Sequence, residues 1–228
     1  MYTNVPAEQW DLDFEINPYE RPSGTDHLNL SAQCLKDLWQ FRMPEHHDGV
    51  WCVDWDFLLV DKSKLPEGDM VIATEWVKSP KEVDGQRLKG GQIPKEVIRK
   101  GVRCHLGISK FPFKSSIAKR IADGIEAHLP KMDGVTKTHK QSLWLENVRI
   151  AQRILLEEGY VFPDPVVLNP WPFWMKGPKF GQVVYNTPMP SVEEAKERTA
   201  AVTLWAGYPC FPKDEVLGIF SRLQGGGS

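Results

Sequence analysis

Residues 50–60 read VWCVDWDFLLV, and this run constrains the fold more than any other stretch of the chain. Its β-branched and aromatic residues alternate with the period of a strand that has two unlike faces. Trp51, Val53, Trp55, Phe57 and Leu59 fall on one face, and Cys52, Asp54, Asp56, Leu58 and Val60 on the other. A chain carrying such a strand has to build a sheet around it. The turn residues Leu65-Pro66-Glu67-Gly68 and the apolar run over 70–77 predict an antiparallel hairpin or meander partner.

Further strands are expected over 102–110, over 160–168 with interruptions at Pro163 and Pro165, and over 180–185. Leu30, Leu35, Leu38 and Trp39 cluster on one side of a helix over 29–41, which Ser31 or Asn29 can cap. Ser115 or Ser116 opens a helix through His128, with Ile117, Ile121, Ile125 and Leu129 at four-residue spacing. Residues 142–158 predict a helix ended by Gly159, and Ser191-Val192-Glu193-Glu194 is a capping box opening a helix to about Trp205. Short helices are expected over 94–100 and 214–223. The sum is an α+β protein, a mostly antiparallel sheet with about four to five helices packed on it. One domain over 1–224 is expected, with a possible boundary near 130–141, and Gly225-Gly226-Gly227-Ser228 has the composition of an artificial linker.

The charge is more telling than its total. The chain sums to −2, yet residues 1–77 carry 5 Lys+Arg against 15 Asp+Glu, and residues 78–141 carry 15 against 6. Segregation of this kind points to a polyanionic partner, RNA or DNA first. Lys78, Lys81, Arg87, Lys89, Lys95, Arg99 and Lys100 fall among glycines in a basic arm. Lys110, Lys114, Lys119 and Arg120 continue it into the next helix, whose N-terminus adds main-chain donors. Long cationic side chains follow a phosphate backbone and release counterions. Lys outnumbers Arg there, which favours backbone contact over base reading. The competing reading is a solvated face whose cations pair internally with the acidic first third of the chain. Trp171, Phe173 and Trp174, held extended by Pro170 and Pro172, could stack on bases or fold over the core.

Asp54 and Asp56 stand about 7 Å apart along a strand, near enough to gather Mg²⁺ against phosphate oxygens. The alternative is a pair of carboxylates facing water. A hydrophobic–Asp–x–Asp strand resembles the first motif of primase-polymerases. That resemblance implies that Arg103-Cys104-His105 is the strand with the nucleotide-contacting His105, and that Asp164 is a third carboxylate. Arg103 stands where that family carries a small residue. The resemblance makes Asp54, Asp56 and His105 the catalytic candidates of an Mg²⁺-dependent phosphoryl- or nucleotidyl-transfer enzyme.

The chain contains no P-loop, nucleophile elbow, G-x-G-x-x-G or H-E-x-x-H. Its four cysteines form no C-x-x-C pair, so buried thiols in a reduced compartment are expected. The longest uncharged run, 199–212, is too short for a membrane span, and the first residues lack the basic start and apolar stretch of a signal peptide. The reading from sequence is a cytoplasmic, backbone-directed RNA- or DNA-binding protein within a larger assembly, without membrane contact. The acidic first third leaves a further class open, an inhibitor or interaction protein docking on a basic partner.

Overall fold

The computed structural model describes residues 21–54, 57–59, 61–76, 102–134, 146–165, 167–169 and 197–203. These divide into two compact units, one drawn from Met1–Val50 with Pro112–Glu158 and the other from Trp51–Phe111 with Gly159–Ser228. Both helices and sheet are present, so the chain is α+β.

The first unit is helical. Helix α1 spans Ala32–Arg42, and the Ser31 side chain accepts a hydrogen bond from the Cys34 amide at its start. Helix α2 spans Ser116–His128 and is capped by Ser115, whose hydroxyl accepts from the Ala118 amide. Helix α3 spans Glu146–Glu157. Ile121, Ile125 and the following Leu129 are fully buried, as the four-residue spacing predicts, together with Ala118 and Ala122, while Ile117 is half-buried. Glycine at 124 lets α3 approach closely, because a methyl group there would come within 2.7 Å of Cγ2 of Ile150. The Arg42 guanidinium ties α1 to α2, reaching Asp123 at 2.8 Å and Glu126 at 2.6 Å as well as Glu45 at 2.8 Å.

This helical interior also holds polar groups. Asn147 of α3 donates to the Asp37 carboxylate of α1 at 3.1 Å, and its Nδ2 lies 3.9 Å from the Cys34 sulfur. Burial pushes the Cys34 thiol up to about 11, against the Asn147 hydrogen bond and with help from the Asp37 charge. The Nε2 of His128, a residue 8% exposed, has no hydrogen-bond partner among the described residues.

The second unit is built on strands. Strand β4, Val102–Lys110, is the centre of a three-stranded antiparallel sheet in the order β1-β4-β3, with β1 over Trp51–Val53 and β3 over Val71–Trp76. A second sheet runs β2-β6-β5, with β2 over Phe57–Leu59, β6 over Ala201–Thr203 and β5 over Leu168–Asn169. In it β2 and β6 are antiparallel and β5 and β6 parallel. Val71, Ala73 and Ile108 of the first sheet and Leu168, Ala200 and Ala201 beside or within the second form the core of this unit, with Trp51, Leu65 and Val167 packed against them.

Four expectations are corrected here. The run 50–60 is not one strand but β1 and β2 in different sheets, because Trp51–Val53 pairs with β4 and Phe57–Leu59 with β6. It does not form a hairpin with 70–77, since β4 stands between β1 and β3. Of the described residues of 160–168 only Leu168 is strand. Pro163 and Pro165 lack the amide a ladder needs, and the segment instead bonds β3 through Tyr160 and the Pro163 carbonyl. The helix expected to reach Trp205 stops at Arg198, and Ala201–Thr203 beyond it, with the β-favouring Val202 and Thr203, pairs as β6. The helices expected over 94–100 and 214–223 and the strand over 180–185 lie outside the described residues.

Two outcomes follow for the helical unit. Gly124→Val forces a branched side chain against Ile150 and is expected to lower stability by about 1–3 kcal/mol in urea unfolding of the full chain. Burial lowers the His128 imidazole from its ordinary value of 6.5, opposed by the Glu146 charge and reinforced by those of Lys131 and Arg149. The folded state therefore favours the neutral ring. Its contribution is complete above the unfolded value and is lost as pH falls toward the lower folded one. Thermal melts at about pH 7.5 and about pH 5 are expected to show that loss, and His128→Phe to reduce it.

Candidate functional site

Strand β4 is regular at both ends and irregular between them. Ile72 of β3 pairs with Ser109, but Thr74 pairs with Cys104, so residues 105–108 stand opposite Ala73 alone. Such a bulge redirects side chains that an even ladder would send to alternate faces. On the other edge β1 stays in register through Val53 opposite Ile108, and the Asp54 amide then donates to the Gly107 carbonyl at 2.7 Å.

The consequence is a convergence over Gly107. A methyl group on Gly107 would lie 2.6 Å from Oδ2 of Asp54, 2.5 Å from Cε1 of His105 and 2.8 Å from its Nδ1. Both side chains are half-buried and occupy the space that a side chain at 107 would fill. The Gly107 amide donates to Nδ1 of His105 at 3.0 Å. An accepting Nδ1 carries no proton, which leaves Nε2–H as the donor of this ring. The pair thus presents a carboxylate acceptor beside an imidazole donor.

The other candidates are placed as follows. Asp164 is engaged by Arg198 at 2.5 Å, in the loop before β5. Asp56 lies outside the described residues, as do Lys78, Lys81, Arg87, Lys89, Lys95, Arg99, Lys100, Trp171, Phe173 and Trp174. Among the described residues no three of His, Cys, Asp or Glu stand close enough together to hold a metal ion. With Nδ1 of His105 taken by a backbone amide, Asp54 is the one hard oxygen ligand described in this pair, so these residues alone do not make an Mg²⁺ site.

The described cations are partly engaged. Lys119 pairs with Asp123 at 2.8 Å, and Arg120 with Glu157 at 2.8 Å and also with Glu158. These pairs are exposed, and such pairs contribute about 0–1 kcal/mol, so an anionic ligand can exchange into them. Lys110 donates to the Gly68 carbonyl at 3.1 Å. Lys114 adopts a positive φ of 55°, with its ammonium 4.9 Å from the centre of the Phe113 ring. Phe113 is 45% exposed. An open depression of about 470 Å³ in the helical unit holds none of the candidates, and its charged lining closes on itself through Arg42, Asp123 and Glu126.

Sequence reasoning missed Gly107 and Phe113. A glycine inside a strand pattern is a bulge signal, and His-Leu-Gly-Ile-Ser carries one. Phe113 stands in Phe-Pro-Phe-Lys-Ser-Ser, where the proline and the capping serine leave the ring between two turns of chain rather than in a periodic core position.

Comparison of the chain with protein-family models, with curated proteins and with solved structures gave no match. No helix among the described residues is long and apolar enough to cross a membrane.

Proposed function

We propose that this chain binds the phosphate backbone of nucleic acid, and that Asp54 and His105 of the sheet unit meet a phosphate group. The observation that carries the reading is the convergence of the two side chains over Gly107 at a bulge in β4. Nε2–H of His105 suits a phosphate oxygen, and the Asp54 carboxylate suits a hydroxyl, a water or a cation accompanying the phosphate. The charge excess of residues 78–141 supplies the attraction, carried by Lys78, Lys81, Arg87, Lys89, Lys95, Arg99 and Lys100 and extended by Lys110 and Lys114. Phe113 beside Lys114 offers an aromatic face next to a cation, the combination that stacks single-stranded bases. Trp171, Phe173 and Trp174 are proposed for the same role.

The same pair favours a second reading, an Mg²⁺-dependent phosphoryl- or nucleotidyl-transfer enzyme. That reading needs a further oxygen ligand, and Asp56 is the residue the sequence offers for it.

A fluorescence-anisotropy titration against single- and double-stranded RNA and DNA, at two salt concentrations and with or without Mg²⁺, tests both. Binding is expected to weaken steeply with salt, and Lys89→Glu with Arg99→Glu to weaken it further. His105→Gln is expected to reduce affinity several-fold. Mg²⁺-dependent cleavage or extension that Asp54→Asn abolishes supports the transfer reading. Absence of binding to every probe at low salt contradicts the nucleic-acid reading and leaves a basic protein partner for the acidic first third.

A further inference from the structure

We infer that Gly107 is the positioning residue of the Asp54–His105 pair. By lacking a side chain it lets the two tips share one space, and through its amide it fixes which nitrogen of His105 carries the proton. The inference rests on Asp54 and His105 being the working pair, but its physical content is separate from what they bind.

The described glycines separate into two kinds. Gly24, Gly49, Gly68, Gly134 and Gly159 have positive φ and open space where a side chain would begin. They are glycine for their backbone conformation. Gly107 and Gly124 are the reverse, with ordinary φ and a crowded side-chain position. At 124 the neighbour is an apolar core side chain, Ile150. At 107 the three nearest atoms all belong to the ends of Asp54 and His105. The backbone there tolerates an L-residue, so what glycine supplies is room for a carboxylate and an imidazole together.

Alanine at 107 is therefore a selective perturbation. The three atoms nearest the new methyl group are all at the ends of two side chains, which can rotate away. Strand β4 keeps its ladder with β1 and β3. His105 cannot keep Nδ1 on the residue-107 amide, because Nδ1 would then sit 2.8 Å from the new methyl group. With that hydrogen bond gone the proton is free to occupy either nitrogen, and the donor aimed from Nε2 is no longer fixed.

The test is a long-range ¹H–¹⁵N spectrum of the imidazoles in the ¹⁵N-labelled full chain, with His105 assigned by loss of its signals in His105→Gln. At about pH 8, where histidine is deprotonated, the native chain is expected to show His105 in a single Nε2–H form. Gly107→Ala is expected to show a mixture of tautomers, with circular dichroism unchanged and with nucleic-acid affinity reduced about as much as in His105→Gln. A native His105 protonated on Nδ1 overturns the inference even if the alanine variant does not fold, and so does an alanine variant that keeps the single Nε2–H form. If the tautomer behaves as expected while no RNA or DNA probe binds, Gly107 still positions the pair and the nucleic-acid reading is what fails.

Discussion

The hydrogen bond from the Asp54 amide to the Gly107 carbonyl continues the pairing of β1 with β4 one step beyond the end of β1. Everything at the candidate site depends on that step. The pairing through Trp51, Cys52 and Val53 brings the Asp54 backbone opposite Gly107, and Asp54 then has its carboxylate beside the imidazole of His105. The third strand contributes by what it leaves out. Opposite β3 the ladder passes from Ser109 to Cys104 while β3 advances only from Ile72 to Thr74. The residues of β4 in between are freed from strict alternation, so His105 and Gly107 can serve one locus. Glycine is required at its centre because two polar side chains already occupy the volume.

The helical unit shows a different economy of charge. Arg42 is held by Glu45, Asp123 and Glu126, and Asp123 is shared with Lys119. The Lys119 hydrogen bond, against the effect of burial and with further help from Arg42, holds the Asp123 carboxyl below its usual range. Among the described residues, Lys119 and Arg120 of α2 are thus matched by Asp123 of the same helix and by Glu157 and Glu158 at the end of α3. Arg42 is a cation of the acidic first third, and two of its partners come from α2. Exposed matching of this kind leaves the surface adaptable, because each pair contributes little and a phosphate array can replace the carboxylates.

Helices were far more legible in the sequence than the sheet. Ser31 and Ser115 cap where their side chains predict, and the Ile121–Ile125 spacing buries as drawn, because a helix is specified by neighbours three and four residues apart. Strands are specified by partners far away in sequence. Nothing in VWCVDWDFLLV says that its first residues pair with 108–110 and its later ones with 201–203. Nor did the capping box at Ser191 reveal that the chain turns to strand at Ala201, where β2 supplies an antiparallel partner from far away in sequence. At the site, Asp54 and His105 were both legible as residue types, since a carboxylate or imidazole in an apolar strand asks for a reason. Their meeting was not legible, because it depends on the β1–β4 register and on a bulge that alternation cannot encode. Gly107 was the one local sign of that bulge.

The measurement that tests the account most directly follows the His105 imidazole resonances while a nucleoside triphosphate with Mg²⁺ is titrated into the ¹⁵N-labelled chain. The account predicts saturable shifts of the His105 signals that exceed those of the remaining histidines and that shrink in Asp54→Asn. His105 signals that stay in place while the ligand saturates the chain elsewhere, or that move equally in Asp54→Asn, would contradict the claim that Asp54 and His105 act together on a phosphate group.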